Sequence, residues 1–226
     1  MAYYLGTSGW SYSSWKERFY PSGIPQRDWL RFYAEHFNSV EINMTFYRFP
    51  KAEVLQDWAE KTPHEFKFTL KANRQITHRK KLFDVEHDVR YFNLLVGNLG
   101  DKLGCLLFQL PPSLHLDLKL LRSFLSTLST EYNNVIEFRH ESWYTESVYD
   151  LLRSKNVTFC TVSSERVPDQ PVNTAETAYF RFHGLTGGFR YNYSDRELQT
   201  WADLIQKTAA KELYVYFNND YQAQAV

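Results

Sequence analysis

The stretch IEFRHESW, residues 136–143, alternates apolar and charged side chains and then presents a histidine. A strand buried on both faces reads as a near-continuous apolar run. Here Ile136 and Phe138 share one face, while Glu137 and Arg139 share the other. The pattern fits a barrel strand, with one face against helices and the other pointing into the barrel. A second stretch repeats it. In AYFRFHG (178–184), Phe180 and Phe182 alternate with Arg181 and His183.

Six further β-rich runs have strand length: 3–9, 39–46, 65–72, 104–110, 157–163 and 212–219. Helical periodicity appears over 28–37, 118–128, 146–155 and 194–208, with apolar residues at i, i+3, i+4 and i+7. Ser194 and Glu197 have capping-box spacing at the start of the last one. Eight strands alternating with helices predict a single α/β domain over 1–226, a TIM-like (β/α)8 barrel. A doubly wound open sheet is the rival, but GTSGWS (6–11) lacks the dinucleotide-binding glycine pattern. Val226 follows the eighth strand closely. The closing helix is therefore expected to be truncated, leaving an apolar groove around Tyr214 and Tyr216.

The chain has 226 residues, with 26 Lys and Arg against 26 Asp and Glu. That balance excludes a broadly basic nucleic-acid-binding surface and leaves room only for weak, local contact. No apolar run is long enough to span a membrane, and no signal peptide is visible, so a cytoplasmic location is expected. Cys105 and Cys160 lie in separate apolar runs and are expected to be buried, reduced thiols.

The inward positions are polar at several strand ends together. Glu41, Asn43 and Thr45 share a parity on the second strand. Lys71 ends the third, Gln109 the fourth, and Asn218 or Asn219 the eighth. Barrel chemistry gathers at the C-terminal rim. Two carboxylates, Glu41 and Glu137, stand against Lys71, Arg139 and Arg181, which points to an anion. On this count, losing Arg181 relieves repulsion. Arg139, Arg181 and Lys71 are read as the clamp, His183 as general acid or base, and Glu137 as its partner. Asn43, Gln109 and Asn218 would position the substrate. Gly187 and Gly188, in the loop after the seventh strand, suit a phosphate. Arg190 adds charge there, and Tyr191, Tyr47 and Trp10 offer rings.

The motifs GTSGWSY (6–12), VEINMTFYRFP (40–50), ITH (76–78), QLPPS (109–113), EFRHESW (137–143), FRFHG (180–184) and YFNND (216–220) run in order along the chain. Together they resemble the domain-of-unknown-function 72 family, also called YecE-like. The resemblance implies a TIM-like barrel similar to the xylose-isomerase-like and endonuclease IV-like group. It implies no reaction. The chain departs from it after the sixth strand, where Ser163 and Ser164 stand in place of Asp-Ser.

The reading that follows is an enzyme, of hydrolase or lyase type, acting on a phosphorylated or nucleotide-like substrate. It assigns no metal ligand and leaves any cofactor open. A non-catalytic ligand sensor or nucleic-acid-associated adaptor is the alternative. A glycoside hydrolase using Glu41 and Glu137, with Tyr47, Trp10 and Trp143 stacking on sugar, is a third.

Overall fold

The computed structural model describes all residues, 1–226. Eight parallel strands form one sheet: β1 (Ala2–Thr7), β2 (Ser39–Ile42), β3 (Lys67–Lys71), β4 (Leu103–Gln109), β5 (Asn133–Glu137), β6 (Thr158–Ser163), β7 (Thr177–Phe182) and β8 (Glu212–Phe217). Their order is β1-β8-β7-β6-β5-β4-β3-β2. Between them run α1 (Trp29–Ala34), α2 (Ala52–Glu60), α3 (Glu86–Val96), α4 (Leu118–Leu125), α5 (Glu146–Arg153) and α6 (Asp195–Gln206). This is the TIM-like barrel that the alternation predicts. β6 and β7 are joined without a helix. The capping box forms: the Glu197 amide donates to Ser194 Oγ, and the Ser194 amide donates to Glu197 Oε2 at 2.8 Å.

The sheet closes between β1 and β2 without a regular ladder. One bridge, Ser8 to Glu41, joins the two strands. Below it, side chains stand in for strand pairing. The Leu5 amide donates to Asn38 Oδ1 at 2.8 Å, and Asn38 Nδ2 donates to the Tyr3 carbonyl at 2.7 Å. The Thr7 amide donates to Tyr33 Oη at 2.8 Å. At this seam a β-carbon on Gly6 would lie 2.0 Å from the Ser39 carbonyl oxygen. Gly6→Ala should therefore force the two backbones apart. Overpacking of this kind costs about 1–3 kcal/mol, a fall of roughly 2–12 °C in melting temperature for a domain of this size. Thermal unfolding followed by circular dichroism checks it; an unchanged midpoint would show that the seam yields freely.

The period of two sorts the side chains. Ile136, Phe138 and Phe159 face outward into a large apolar layer that also takes up Trp143, Leu151 and Leu152. Phe180 and Phe182 meet Trp201 and Ile205 of α6. The inward side of the lower barrel holds Cys105, Leu107, Val135, Cys160, Tyr179, Tyr214 and Tyr216. Both cysteines are free and buried. Two of the core tyrosines satisfy their hydroxyls inside: Tyr216 Oη lies 2.5 Å from Ser39 Oγ and 2.9 Å from Thr69 Oγ1, and Tyr179 Oη donates to Glu41.

Two expectations are corrected here. Tyr214 and Tyr216 do not border an exposed groove, because their parity points them into the barrel, where both are buried. The uncovered apolar residues of this side are Tyr3 and Leu5 of β1, 52 % and 45 % exposed. They line a cavity with Phe37 and Pro63. Residues after β8 form only a short 3₁₀ turn, Tyr221–Ala223, and Trp15 Nε1 donates to the Asp220 carbonyl at 2.8 Å. The second correction concerns β2. It ends at Ile42, and Asn43 opens a 3₁₀ turn over Met44–Phe46, so Asn43 and Thr45 do not continue the strand's inward row. Thr45 instead donates to the Lys71 carbonyl at 2.6 Å, tying the two loops together.

Candidate functional site

Above the tyrosines, the inward positions turn ionic. Arg181 of β7 spans the barrel. Its Nη2 donates to Glu41 Oε1 at 2.6 Å, and its Nη1 donates to Glu137 Oε2. Glu41 also accepts from Ser8 Oγ at 2.8 Å and Tyr179 Oη at 2.6 Å. All three charges are buried: Arg181 is 1 % exposed and both glutamates 0 %. Burial pushes the Glu137 carboxyl up, but Arg139 and Arg181 outweigh it and hold it well below the usual carboxylate range. Glu41 is lowered in the same way, with Arg181 overcoming burial. Burial pulls the Arg181 guanidinium down, yet Glu137 and Glu41 raise it well above its ordinary value. This layer is a locked Glu–Arg–Glu cross-link. It corrects the reading of Arg181 as an anion clamp, since both terminal nitrogens are already taken. It also corrects the glycosidase alternative. Glu41 and Glu137 both face Arg181 and neither reaches solvent, while Trp143 is buried and stacked on Phe138 at 4.8 Å.

The rim sits one step higher on the same faces. Arg139 Nε pairs with Glu137 Oε1, and the Arg139 side chain is 22 % exposed. Its Nη2 lies 3.0 Å from His183 Nε2. Arg181 Nη1 and Glu137 Oε1 each stand 3.4 Å from the same nitrogen. His183 Nδ1 is 3.0 Å from the Asn218 amide. Burial, then Arg181, push the imidazole down to about 4, although Glu137 opposes them. At neutral pH the ring is uncharged. Asn218 Nδ2 donates to Nδ1, so the ring hydrogen sits on Nε2, which faces Glu137 Oε1 at 3.4 Å. His183 is thus a fixed, neutral acceptor.

Lys71 closes the other side of the rim. Its Nζ donates to Gln109 Oε1 at 2.6 Å and lies 4.5 Å from the centre of the Phe46 ring. Glu41 and Glu137 are bound to arginines, so no carboxylate pairs with it. Burial, then Arg181, push the ammonium down to about 8 against the pull of Glu137 and Glu41. His78 comes in on a π-helical turn, Gln75–Arg79, and meets the same Phe46 ring edge-on at 4.8 Å. Such turns recur at functional sites.

A cleft of about 400 Å³ opens beside this cluster. Its walls are Arg139, His183 and Asn218 together with Ser164, Glu165 and Arg166 after β6 and residues of the Gly184–Phe189 loop, so one carboxylate stands among the cations. Gly184 needs its freedom: its φ is +81°, and a β-carbon would lie 2.2 Å from the Gly188 carbonyl oxygen.

The structure therefore brings together Lys71, Gln109, Glu137, Arg139, His183 and Asn218. Arg181 lies directly beneath them, bonded to Glu137, and the remaining predicted residues are dispersed. Tyr47 is exposed, with Arg74 over its ring at 5.9 Å. Trp10 packs edge-on to Trp58. Arg190 lies over Tyr221 at 5.2 Å and over Phe189 at 5.8 Å, and the Tyr191 hydroxyl donates to Glu197 Oε1; neither lines the cleft. Asn43 stays at the β2 end, its Oδ1 buried without a partner. Arg166 is the residue that sequence reasoning missed. Its signal was a lone base in the loop after the sixth strand, a rim loop in this fold. The basic run at 79–81 is partly neutralised locally, with Lys80 2.8 Å from Asp88 Oδ2. No group of three or more His, Cys, Asp or Glu side chains is placed to hold a metal ion, and no helix is long and apolar enough to cross a membrane.

The fold and rim define a TIM-like barrel with a polar, cation-rich mouth. Residues 4–226 match the family described as "Protein of unknown function DUF72", and the chain belongs to that family. It is 30 % identical over 173 residues to the UPF0759 protein YecE of Escherichia coli K12, covering 76 % of this chain and 61 % of that one. The chain thus spans about three fifths of the length of the YecE proteins it matches. The UPF0759 protein YunF of Bacillus subtilis is 23 % identical, over 96 % of this chain and 88 % of its own. A crystal structure of a DUF72 family protein from Thermotoga maritima superposes with a TM-score of 0.90 at 32 % identity, covering 100 % of this chain and 95 % of that one.

Proposed function

We propose that this chain is an enzyme acting on a phosphorylated or nucleotide-like anionic substrate held at the C-terminal rim of the barrel. The observation that carries this reading is the unpaired charge of Lys71. Arg181 and Arg139 share the two buried carboxylates, and a third cation remains beside the mouth with the Gln109 amide and the Phe46 ring as partners and no carboxylate. Buried charge without a counter-ion costs several kcal/mol, and an anionic ligand supplies the missing partner. Arg139 keeps part of its guanidinium open for a charge-assisted contact, and Arg166 and the Gly187–Gly188 backbone face the same cleft.

In this reading His183, uncharged at neutral pH, can take a proton but has none to spare as an acid. Glu137 holds Arg139 and Arg181 in place. Gln109 and Asn218 orient Lys71 and His183.

Calorimetric titration with sugar phosphates and nucleoside monophosphates, each against its unphosphorylated counterpart, tests the reading. The phosphorylated members should bind selectively. Arg139→Gln should weaken them by about 1.5–3 kcal/mol, the usual worth of a hydrogen bond to a charged group. Equal binding of the unphosphorylated compounds would contradict it.

A further inference from the structure

We propose that the anionic ligand of this cleft is a nucleotide, with its base stacked on Phe189 and its ribose hydroxyls donating to Glu165. The proposal rests on the anion-site reading and narrows the substrate class.

Phe189 is a ring without a task in the fold. It is 54 % exposed and belongs to none of the three apolar clusters that build the barrel. Exposed rings such as Tyr47 and Phe83 lie outside the cleft, whereas Phe189 lines it. Apart from Leu185, every other wall residue is polar, charged or glycine. A ring open to water at the mouth of a polar cleft is a platform on which a planar ligand can stack.

The loop holds that ring in place. Gly187 precedes the 3₁₀ turn Gly188–Arg190 with a φ of +79°, in the left-handed region. The Gly188 amide donates to the Leu185 carbonyl at 3.3 Å, and the Tyr191 amide donates to the Gly188 carbonyl at 2.8 Å. Asn219 Nδ2, after β8, anchors the end of the loop by donating to the Tyr191 carbonyl at 2.9 Å. The Arg190 guanidinium lies 5.8 Å from the centre of the Phe189 ring and is itself held over Tyr221 at 5.2 Å. A guanidinium over one face leaves the other for a base. A ring fixed in this way loses little freedom on binding.

The rest of the cleft answers the remaining parts of a nucleotide. Arg139 and Arg166 supply cations for the phosphate, and a guanidinium fork suits its oxygens. Glu165 is the one carboxylate of the walls. It repels a phosphate, so a bare phosphate, or a phosphate on a plain ring, leaves it without a partner. Ribose supplies that partner, because a carboxylate accepts from a ribose hydroxyl, as the acidic residue of dinucleotide-binding folds does. The cleft of about 400 Å³ falls in the range of small-molecule pockets and exceeds what a phosphate alone would fill.

Titration calorimetry at pH 7 with adenosine 5′-monophosphate, ribose 5-phosphate, phenyl phosphate and adenosine tests the proposal. Stacking of one base is worth roughly 5–150-fold, so the nucleotide should bind tighter than ribose 5-phosphate by that factor. Phe189→Ala should bring it down to the ribose 5-phosphate level, and Phe189→Trp should keep the advantage. Both variants should melt as the parent does, since the side chain packs in no apolar cluster. Phenyl phosphate should bind more weakly than the nucleotide, and Glu165→Ala should narrow that gap. Equal binding of the nucleotide and phenyl phosphate, or an advantage over ribose 5-phosphate that survives Phe189→Ala, would overturn the proposal. The two readings fail differently. If ribose 5-phosphate binds and the adenine adds nothing, the nucleotide assignment is wrong and the anion site stands. If adenosine binds as tightly as its monophosphate and Phe189→Ala weakens both, the ring contact stands and the anion site is wrong.

Discussion

Arg181→Met should unfold well below the parent protein at neutral pH. Methionine fills the space but leaves Glu41 and Glu137 facing each other, both fully buried. Breaking a buried ion network by removing one partner costs about 3–5 kcal/mol. For a domain of this size that is a fall of roughly 6–20 °C in melting temperature. The loss has a pH signature. Glu41 and Glu137 have folded-state values below their unfolded ones. Their stabilisation is therefore present above about pH 4.3, the unfolded carboxylate value, and is lost as pH falls through the folded values. In Arg181→Met that contribution is gone, so the gap between variant and parent should narrow on acidification. Melting curves at pH 7 and pH 4 check both statements. An unchanged or raised midpoint at pH 7 would mean that Arg181 is held for a ligand and not for the fold.

Lys71→Met should move stability the other way. The folded-state value of Lys71 is about 8, below its ordinary 10.5. Below pH 8 both folded and unfolded chains carry the proton, and the folded state bears the full penalty of a buried, unpaired ammonium. Between pH 8 and 10.5 the unfolded state binds more protons, so the penalty is relieved as pH rises. Methionine removes it at every pH. A shift of this size corresponds to about 3 kcal/mol at most, reduced by the lost bond to Gln109 and by solvent at the mouth. A gain on the order of 1–2 kcal/mol at pH 7 is expected, shrinking towards pH 10. The same variant should lose affinity for anionic ligands, the usual exchange of function for stability at a site. Chemical denaturation at pH 7 and pH 10 is the measurement. A variant less stable than the parent at pH 7 would show that the ammonium is well satisfied by groups other than a ligand.

Much of this arrangement is legible in the sequence because a barrel strand alternates. Once IEFRH and FRFHG are read as strands, parity alone puts Glu137, Arg139, Arg181 and His183 on the inside. It does not say which charge answers which. Counting three cations against two carboxylates locates an excess, yet the count alone led to Arg181 as the surplus cation. In the structure Arg181, 1 % exposed, reaches across from β7 to both Glu41 and Glu137 and leaves Lys71 as the odd charge. Depth along a strand depends on barrel stagger, which the sequence does not display. The same limit explains Tyr214 and Tyr216. Their apolar rings suggested an uncovered outer face, while the parity of β8 turns them inward. Loops were the least legible. Proximity to Gly187 and Gly188 suggests Arg190 and Tyr191 for the cleft, but neither lines it, and their side chains meet Tyr221 and Glu197 instead. Arg166, from a loop with no motif, takes the place beside the cleft.

The central claim is that the rim is short of one negative charge and that an anion supplies it. Titration calorimetry with inorganic phosphate on the parent protein and on the double variant Arg139→Gln/Lys71→Met, at pH 7 and pH 9, tests this most directly. The parent should bind phosphate at pH 7 and more weakly at pH 9, where Lys71 is largely neutral, and the double variant should show no binding at either pH. Phosphate binding of equal strength in the double variant, or none in the parent, would contradict the account.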